Sequence, residues 1–177
     1  MKKIIFIAFL SLTLSTAQAQ VAIGKTNSGN TSVILEFDNA TTNKKGIILP
    51  AVENTNNAVI TGNKAVNNGT FLFDRSDDKV KMFENNAWID LSDSGSETKI
   101  AVNTSADQNA NHGVIIGSAT SAAKGVLILE SANKALVLPS IQNPHTNVKD
   151  PYPGMICYDT ASKTLAIFDG AVWNFWK

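Results

Sequence analysis

Few residues of this chain have side chains that could catalyse a reaction or hold a metal ion. Neither His112 nor His145 has a second histidine near it at a spacing typical of metal ligands. Cys157 is the only cysteine, so no intrachain disulfide can form, and the surrounding sequence supplies no base to activate its thiol. We predict no metal site, no cofactor and no catalytic residue, and we expect that the protein is not an enzyme.

Three carboxylates stand close together and could bind calcium. These are Asp74, Asp77 and Asp78. Calcium needs about six or more oxygen ligands in a defined cage. At the matching positions further along the chain, Ser162 and Lys163 replace the second and third carboxylate. The cluster is therefore interpreted as a solvated turn.

Aromatic side chains offer the remaining binding chemistry. Exposed rings can stack on sugars, whereas buried rings would fill the core of a small domain. Trp88 and Trp173 occupy equivalent places in a repeat, which favours a structural role in the core. Trp176 has no aromatic equivalent, so Trp176, with Tyr158 and Asn174, is the candidate for a ligand or oligomer contact.

The chain contains an internal repeat with an offset of 85 residues near its C-terminal end. Residues 69–74 align without a gap onto residues 154–159, and the same register places Phe83 on Phe168 and Trp88 on Trp173. Upstream, 46–50 aligns with 135–139, 33–36 aligns with 127–130, and 21–24 aligns with either 114–117 or 100–103. Two copies of one structural unit are therefore expected.

The pattern of apolar residues in each copy is that of β-strands. In strand geometry Phe71 and Phe73 share one face opposite Leu72, and residues 156–158 repeat this arrangement. Proline ends the apolar run at 46–50 and at 135–139. No part of the mature chain sustains a helical period. We predict an all-β fold of two similar small antiparallel β modules in tandem, built as hairpins or a meander, with almost no helix after the signal peptide.

A tight turn is predicted after the aromatic strand of each copy. Gly170 corresponds to Asn85, and both residue types tolerate a positive φ. Gly170→Asn is therefore expected to be tolerated, and Gly170 and Asn85 are assigned to structural turns.

The two ends of the chain and a polar stretch in its middle define its organisation. A basic start, an apolar run and the small-residue pattern before Gln20 predict a signal peptide at 1–19. Residues 92–99 are small and polar, which is typical of a linker. The predicted parts are module 1 at 20–91, a linker at 92–99 and module 2 at 100–177.

Charge and hydropathy exclude several classes of partner. The 15 basic and 15 acidic residues balance, and the basic ones are scattered, so no nucleic-acid partner is expected. After the signal peptide no segment is long and apolar enough to span a membrane, so the protein is not expected to be membrane-spanning. We expect export by the signal peptide, with the protein secreted, at the cell surface or in the periplasm.

Residues 154–173 have the pattern Gly-x-x-x-Tyr-Asp-x-x-x-x-x-Leu-x-x-Phe-Asp-Gly-x-x-Trp. This pattern resembles a repeat of exported Bacteroidetes surface proteins and of phage tail-fibre-like proteins. Module 1 departs from it, with Glu84 and Asn85 in place of Asp-Gly and Phe73 in place of tyrosine. The resemblance implies an extended, non-enzymatic, often oligomeric building block without catalytic residues.

Together these features predict an exported, non-enzymatic structural or adhesive β-repeat protein of the bacterial envelope or cell surface. Its partner is expected to be a protein, through self-association or through another envelope protein. The alternative is a carbohydrate-binding protein that uses exposed aromatic side chains, with a glycan as partner.

Overall fold

The fold was analysed in a computed structural model, which describes residues 20–26, 31–56, 58, 64–102 and 113–177. The predicted signal peptide at 1–19 and His112 lie outside the described residues. Within the described ranges, no helix has the length and apolar character needed to cross a membrane.

The regular secondary structure of the described chain is almost entirely β-strand, with 38% of the residues in strands and 5% helical, which confirms the predicted fold class. The helical elements described are a 3-10 turn at Lys64–Asn67 and one short helix, α1, at Pro144–Asn147. The strands are β1 (Val21–Ile23), β2 (Val33–Phe37), β3 (Ile47–Ile48), β4 (Ala51–Val52), β5 (Thr70–Asp74), β6 (Lys79–Glu84), β7 (Ala87–Asp90), β8 (Val114–Ile116), β9 (Leu127–Leu129), β10 (Ala135–Val137), β11 (Ser140–Ile141), β12 (Met155–Asp159), β13 (Thr164–Phe168) and β14 (Trp173–Trp176).

Each module contains an antiparallel meander preceded by one short parallel strand. The order is β4-β5-β6-β7 in module 1 and β11-β12-β13-β14 in module 2. In both modules an equivalent hydrogen bond joins the parallel strand to the meander. The Phe73 amide donates to the Pro50 carbonyl, and the Tyr158 amide donates to the Pro139 carbonyl, each at 2.9 Å. A proline has a carbonyl but no amide hydrogen, so it can accept here while it ends the preceding strand. The internal repeat is thus a structural repeat.

Apart from β3, the strands upstream of the two meanders pair in parallel. β1, β2 and β10 form one sheet, and β8 and β9 form another. The carbonyl of Ile23 accepts from the Asp38 amide, and the carbonyl of Ile116 accepts from the Glu130 amide, each at 2.9 Å. Residues 21–24 therefore correspond to 114–117 rather than to 100–103.

The same bonds correct the alignment of the next strand. They make Asp38 equivalent to Glu130, so β9 corresponds to residues 35–37, and Leu127 is the counterpart of Leu35 rather than of Val33. Apolar residues occur at 33, 34 and 35, so apolar character alone permits both registers. The backbone hydrogen bonds of Asp38 and Glu130 decide between the two registers.

Strands of module 1 pair with strands of module 2. β10 lies beside β2 in parallel, and β3 pairs antiparallel with β12, with Ile48 opposite Met155 and Ile47 opposite Ile156. The two meanders also share one buried cluster, which contains Phe73, Val80, Leu91, Ile156 and Ile167. The opposite face of the module 2 meander has its own cluster, which includes Cys157, Ala166 and Phe168.

The polar segment 92–99 contacts both modules. The Gly95 amide donates to the Asp78 carbonyl at 2.8 Å, and the Ser96 amide donates to the Asp169 carbonyl at 2.9 Å. Its backbone therefore links the turn of one meander to the turn of the other. The module boundaries at 91/92 and 99/100 stay a prediction.

The turns at Asn85 and Gly170 have positive φ but different surroundings. Asn85 and Asn86 have φ of 49° and 64°, as in a two-residue hairpin turn with both central residues left-handed. Gly170 has φ of 101°, and a Cβ atom there would lie 1.9 Å from the Ser96 carbonyl oxygen. The expected tolerance of Gly170→Asn is therefore wrong, because segment 92–99 occupies the space that a side chain would need.

Candidate oligomerisation surface

The repeated tryptophans belong to the hairpins. The rings of Phe83 and Trp88 lie edge to face with centroids 5.2 Å apart, and those of Phe168 and Trp173 lie 5.4 Å apart in a tilted arrangement. In both modules the two residues are direct cross-strand partners, and both tryptophans are partly buried. Aromatic pairs of this kind stabilise a hairpin beyond the area that they bury. The two cross-strand aromatic pairs therefore have a structural role in the hairpins.

The repeated aspartates accept hydrogen bonds in tight turns. Asp159 is buried and accepts bonds from the amides of Asn143, Ala161 and Ser162 and from the Ser162 hydroxyl. Burial alone would raise the pKa of Asp159, but these hydrogen bonds, led by the Ser162 hydroxyl, outweigh it and the pKa is lowered. The carboxylate is held ionised as a structural acceptor, which does not suit a general acid.

Its counterpart in module 1 is buried against a lysine. Asp74 accepts from Ser76, and Lys81 Nζ lies 2.9 Å from Asp74 Oδ2 and 2.6 Å from Asp77 Oδ2. Burial would raise the pKa of Asp74, but the bonds from Lys81 and Ser76 lower it. The lysine neutralises two of the three carboxylates considered for calcium. Within the described ranges no group of three or more His, Cys, Asp or Glu side chains could hold a metal ion.

The single thiol lies in the core. Cys157 is fully buried between the strands of module 2. Burial and then the charge of Asp159 raise its pKa to about 12. Because the thiolate is the nucleophile, a thiol held neutral in this way is inert.

The three candidate contact residues lie on one face of the module 2 meander. Tyr158, Leu165 and Trp176 are successive cross-strand neighbours, and Asn174 is on the same face two residues before Trp176. Asn174 donates to Asp169 Oδ2 at 2.7 Å, which ties it to the hairpin turn. The indole N–H of Trp176 donates to the carbonyl of Leu91 in module 1. Tyr158 and the ring of Trp176 remain partly exposed.

The opposite face of β14 carries an aromatic contact that sequence reasoning missed. Phe175 is exposed, and its ring lies edge to face with His145 of α1 at 6.2 Å. Alternation along β14 could have indicated that Phe175 faces away from Trp176. The proximity of His145 could not be predicted, because it depends on how α1 packs beside the sheet.

Further exposed apolar side chains lie on the short strands and loops outside the meanders. Sequence reasoning assigned these side chains neither to the core nor to the surface. They are Ile23, Ile48, Val102, Val114, Val126, Leu127 and Leu136. Parallel sheets usually have both faces covered, and a two-stranded sheet of three-residue strands is marginal by itself in water. Exposed apolar side chains on such short strands are candidates for burial by another chain.

One surface hollow of about 630 Å³ lies where residues 100–102 cross β3 and β4. Its charged groups are paired, since Arg75 Nε lies 2.6 Å from Glu97 Oε2, and the Tyr152 hydroxyl accepts from the Ala101 amide at 3.0 Å. The polar side chains at this hollow are therefore structural partners of segment 97–101. No nucleophile and base are brought together among its described lining residues.

A comparison with protein families matches residues 115–177 to the family model described as "Phage tail like trimerisation region". The matched part begins in β8 and includes β9 to β14. No curated protein and no solved structure matches the chain. The match supports the resemblance to phage tail-fibre-like proteins, while the resemblance to Bacteroidetes surface proteins stays a prediction. The fold and this match are consistent with a structural, oligomerising, fibre-like protein.

Proposed function

We propose that this protein is a non-enzymatic structural subunit that assembles into trimers in which residues 115–177 take part in the contact between chains, and that it forms part of a fibre-like assembly. The family match over these residues is the observation that carries the proposal. The exposed apolar side chains on the short parallel strands support it, because association would remove them from water.

The small size of each module agrees with this role. A unit of roughly 70 to 80 residues without disulfides or metal has a marginal core, so burial against other chains adds needed stability. Open strand edges are the usual sites at which β-proteins pair with one another. Module 2 has both features, with β14 at one edge of its meander and two exposed aromatic rings on that strand.

The mass of the purified protein in solution tests the proposal. Light scattering coupled to size-exclusion chromatography should give three times the chain mass, and sedimentation equilibrium should agree. A protein that remains monomeric at every concentration would contradict it.

The same preparation should show no saturable calcium binding, because Lys81 already occupies the carboxylates of Asp74 and Asp77.

The site of action is part of the proposal. We place the protein outside the cytoplasm, at the cell surface or in the periplasm, on the basis of the signal-peptide pattern at 1–19. Cell fractionation with protease added to intact cells tests this. Recovery of full-length protein with residues 1–19 attached in the cytoplasmic fraction would reject export.

Adhesion to a glycan is the second candidate. It is favoured by the exposed ring of Trp176, which lies on the same sheet face as Tyr158 with Leu165 between them, since sugars stack on exposed aromatic rings. A glycan array should then give a saturable ligand whose binding is lost in Trp176→Leu, which keeps an apolar side chain but removes the aromatic ring. Val172→Ala, at an exposed apolar position in the β13–β14 loop, is the matched control. No binding by the folded wild-type protein would reject the adhesive role.

A further inference from the structure

The contact between the two modules joins different surfaces of equivalent units. Module 1 contributes β2 and β3, and module 2 contributes β10 and β12. β3 is the counterpart of β10, and β12 is the counterpart of β5. If a two-fold axis related the two modules, the pairing of β3 with β12 would be matched by a pairing of β10 with β5. Instead β10 pairs with β2. The contact is heterologous, which is the kind of contact that can be repeated from unit to unit.

One surface of each module is used in this contact, and among the described residues no strand covers the corresponding surface of the other module. No described strand pairs with the outer edge of β9 or of β10, or with the second edge of β3. We call the open surface of module 2, formed by Val126, Tyr158, β9 and β10, the trailing edge. We call the open surface of module 1, formed by Gly24, Gly69, β3 and the start of β5, the leading edge.

Burial at equivalent positions shows what the trailing edge lacks. Ile34 and Leu35 of β2 are 2% and 1% exposed, because they lie under β10 and the turn at Gly117. Their counterparts in module 2 are Val126 and Leu127, which are 68% and 47% exposed. Residue type is nearly unchanged, so the neighbouring unit accounts for the difference.

A second pair of equivalent positions shows what the leading edge lacks. Gly154 is covered by Leu49 and Phe73 of module 1, and its carbonyl accepts from the Leu49 amide at 3.0 Å. Its counterpart Gly69 has no described atom within 4 Å of the place where a Cβ would stand. Phe73 is 0% exposed, whereas its counterpart Tyr158 is 37% exposed.

We propose that the trailing edge of one chain binds the leading edge of another copy of this chain, by repeating the contact that joins module 1 to module 2. This inference rests on the proposed self-association and names its surfaces. β9 then pairs in parallel with β3 of the next chain, and β10 pairs with the start of its β5. Tyr158 covers Gly69 of the next chain, as Phe73 covers Gly154.

A second copy of this chain is the occupant because the protein already contains the complementary surface. The leading edge has the strand order and the glycines of the surface that module 2 offers to module 1 within one chain. Each exposed residue at 126, 127 and 158 has a buried counterpart in module 1, and the surroundings of that counterpart show which partner is missing. A closed trimer also needs two different complementary patches on each chain, because its interfaces are heterologous. The trailing and leading edges are such a pair.

Two single substitutions test the inference. Val126→Lys places a charge on the trailing edge, and Ile48→Lys places one on β3 of the leading edge; both side chains are exposed within the chain. Each variant alone should be monomeric while it keeps the circular dichroism spectrum and melting transition of the wild type. Leu127→Lys is a second trailing-edge variant if Val126→Lys does not fold. Val172→Lys, an exposed apolar position outside both edges, is the control and should associate like the wild type.

Mixing the two variants gives the sharper result. The leading edge of Val126→Lys and the trailing edge of Ile48→Lys are intact, so an equimolar mixture should form a complex of two chains and no larger species. If folded variants remain trimeric, or if the mixture remains monomeric, the inference is overturned while the proposed trimer stands. If the wild-type protein itself is monomeric, both proposals fall.

Discussion

At the scale of single residues, the repeated side chains hold hairpins together, and their energies follow from what they touch. Trp173 packs on Phe168 and against the buried cluster of module 2. We expect Trp173→Ala to lower the free energy of unfolding by about 3 kcal/mol, near the lower end for truncating a large aromatic because the ring is only partly buried. Denaturant unfolding measures this. Phe175→Ala, an exposed aromatic on the same strand, is the control and should cost less.

The buried aspartates make stability depend on pH in the acid range. The pKa of Asp159 is lowered in the folded state, so its contribution is fully present above the unfolded value of about 3.9 and is lost as the pH falls through the lower folded value. We expect Asp159→Asn to reduce stability at neutral pH by about 1.5 to 3 kcal/mol, the range for a hydrogen bond to a charged group. It should also reduce the difference in stability between neutral pH and pH below 4. A pH slope identical to that of the wild type would contradict the assigned role.

At the scale of elements, the two meanders have equal strand order but different turns. Asn85 and Asn86 form the turn of module 1, whereas in module 2 the Asp169 carboxylate accepts from the amides of Ala171 and Val172. The module 2 turn also lies against segment 92–99, which is why a side chain at Gly170 meets the Ser96 carbonyl.

Substitution at Gly170 meets both a backbone constraint and a lack of space. Asparagine tolerates the left-handed φ of 49° at Asn85, but residues with a side chain rarely adopt the φ of 101° at Gly170. We expect Gly170→Asn to lower the melting temperature, with a cost of about 1 to 3 kcal/mol for the strained backbone and the displaced contact with Ser96. Asn85→Gly, which keeps a positive φ in the other turn, should change stability much less. Equal melting temperatures of Gly170→Asn and the wild type would show that segment 92–99 does not pack there.

At the scale of the whole molecule, the two modules share a buried cluster and exchange strand partners. Ile167 is fully buried and belongs to the cluster that contains Phe73 and Val80 of module 1, whereas Cys157 faces the cluster of module 2 alone. Loss of a shared core side chain must therefore weaken both modules. The structure predicts one cooperative unfolding transition for the described part of the chain.

Hydrogen exchange measures this coupling. Ile167→Ala should lower stability by about 2 to 5 kcal/mol, the range for such a truncation, and should reduce amide protection in β5 and β6 as well as in β12 and β13. Cys157→Ala is the second variant, because its side chain lies in the cluster of module 2 alone; in one cooperative unit it should also reduce amide protection in β5 and β6. Unchanged protection of β5 and β6 in Ile167→Ala would indicate that the modules unfold independently.

The sequence by itself determined the local features. Alternating apolar residues, proline after each apolar run and residues that tolerate positive φ predict strands, strand ends and hairpin turns, because each depends on the conformation of a few consecutive residues. The offset of 85 residues is enough to identify Trp88 and Trp173 as equivalent positions. The all-β class follows from these patterns.

Only the tertiary structure decided which surfaces meet. Leu35 and Leu127 are the same residue type in equivalent strands, yet one is buried by β10 and the other is exposed. Asn85 and Gly170 share a positive φ, yet only Gly170 has Ser96 beside it. These differences arise from contacts between residues far apart in the chain, and local propensity carries no information about which of two equivalent edges receives its partner.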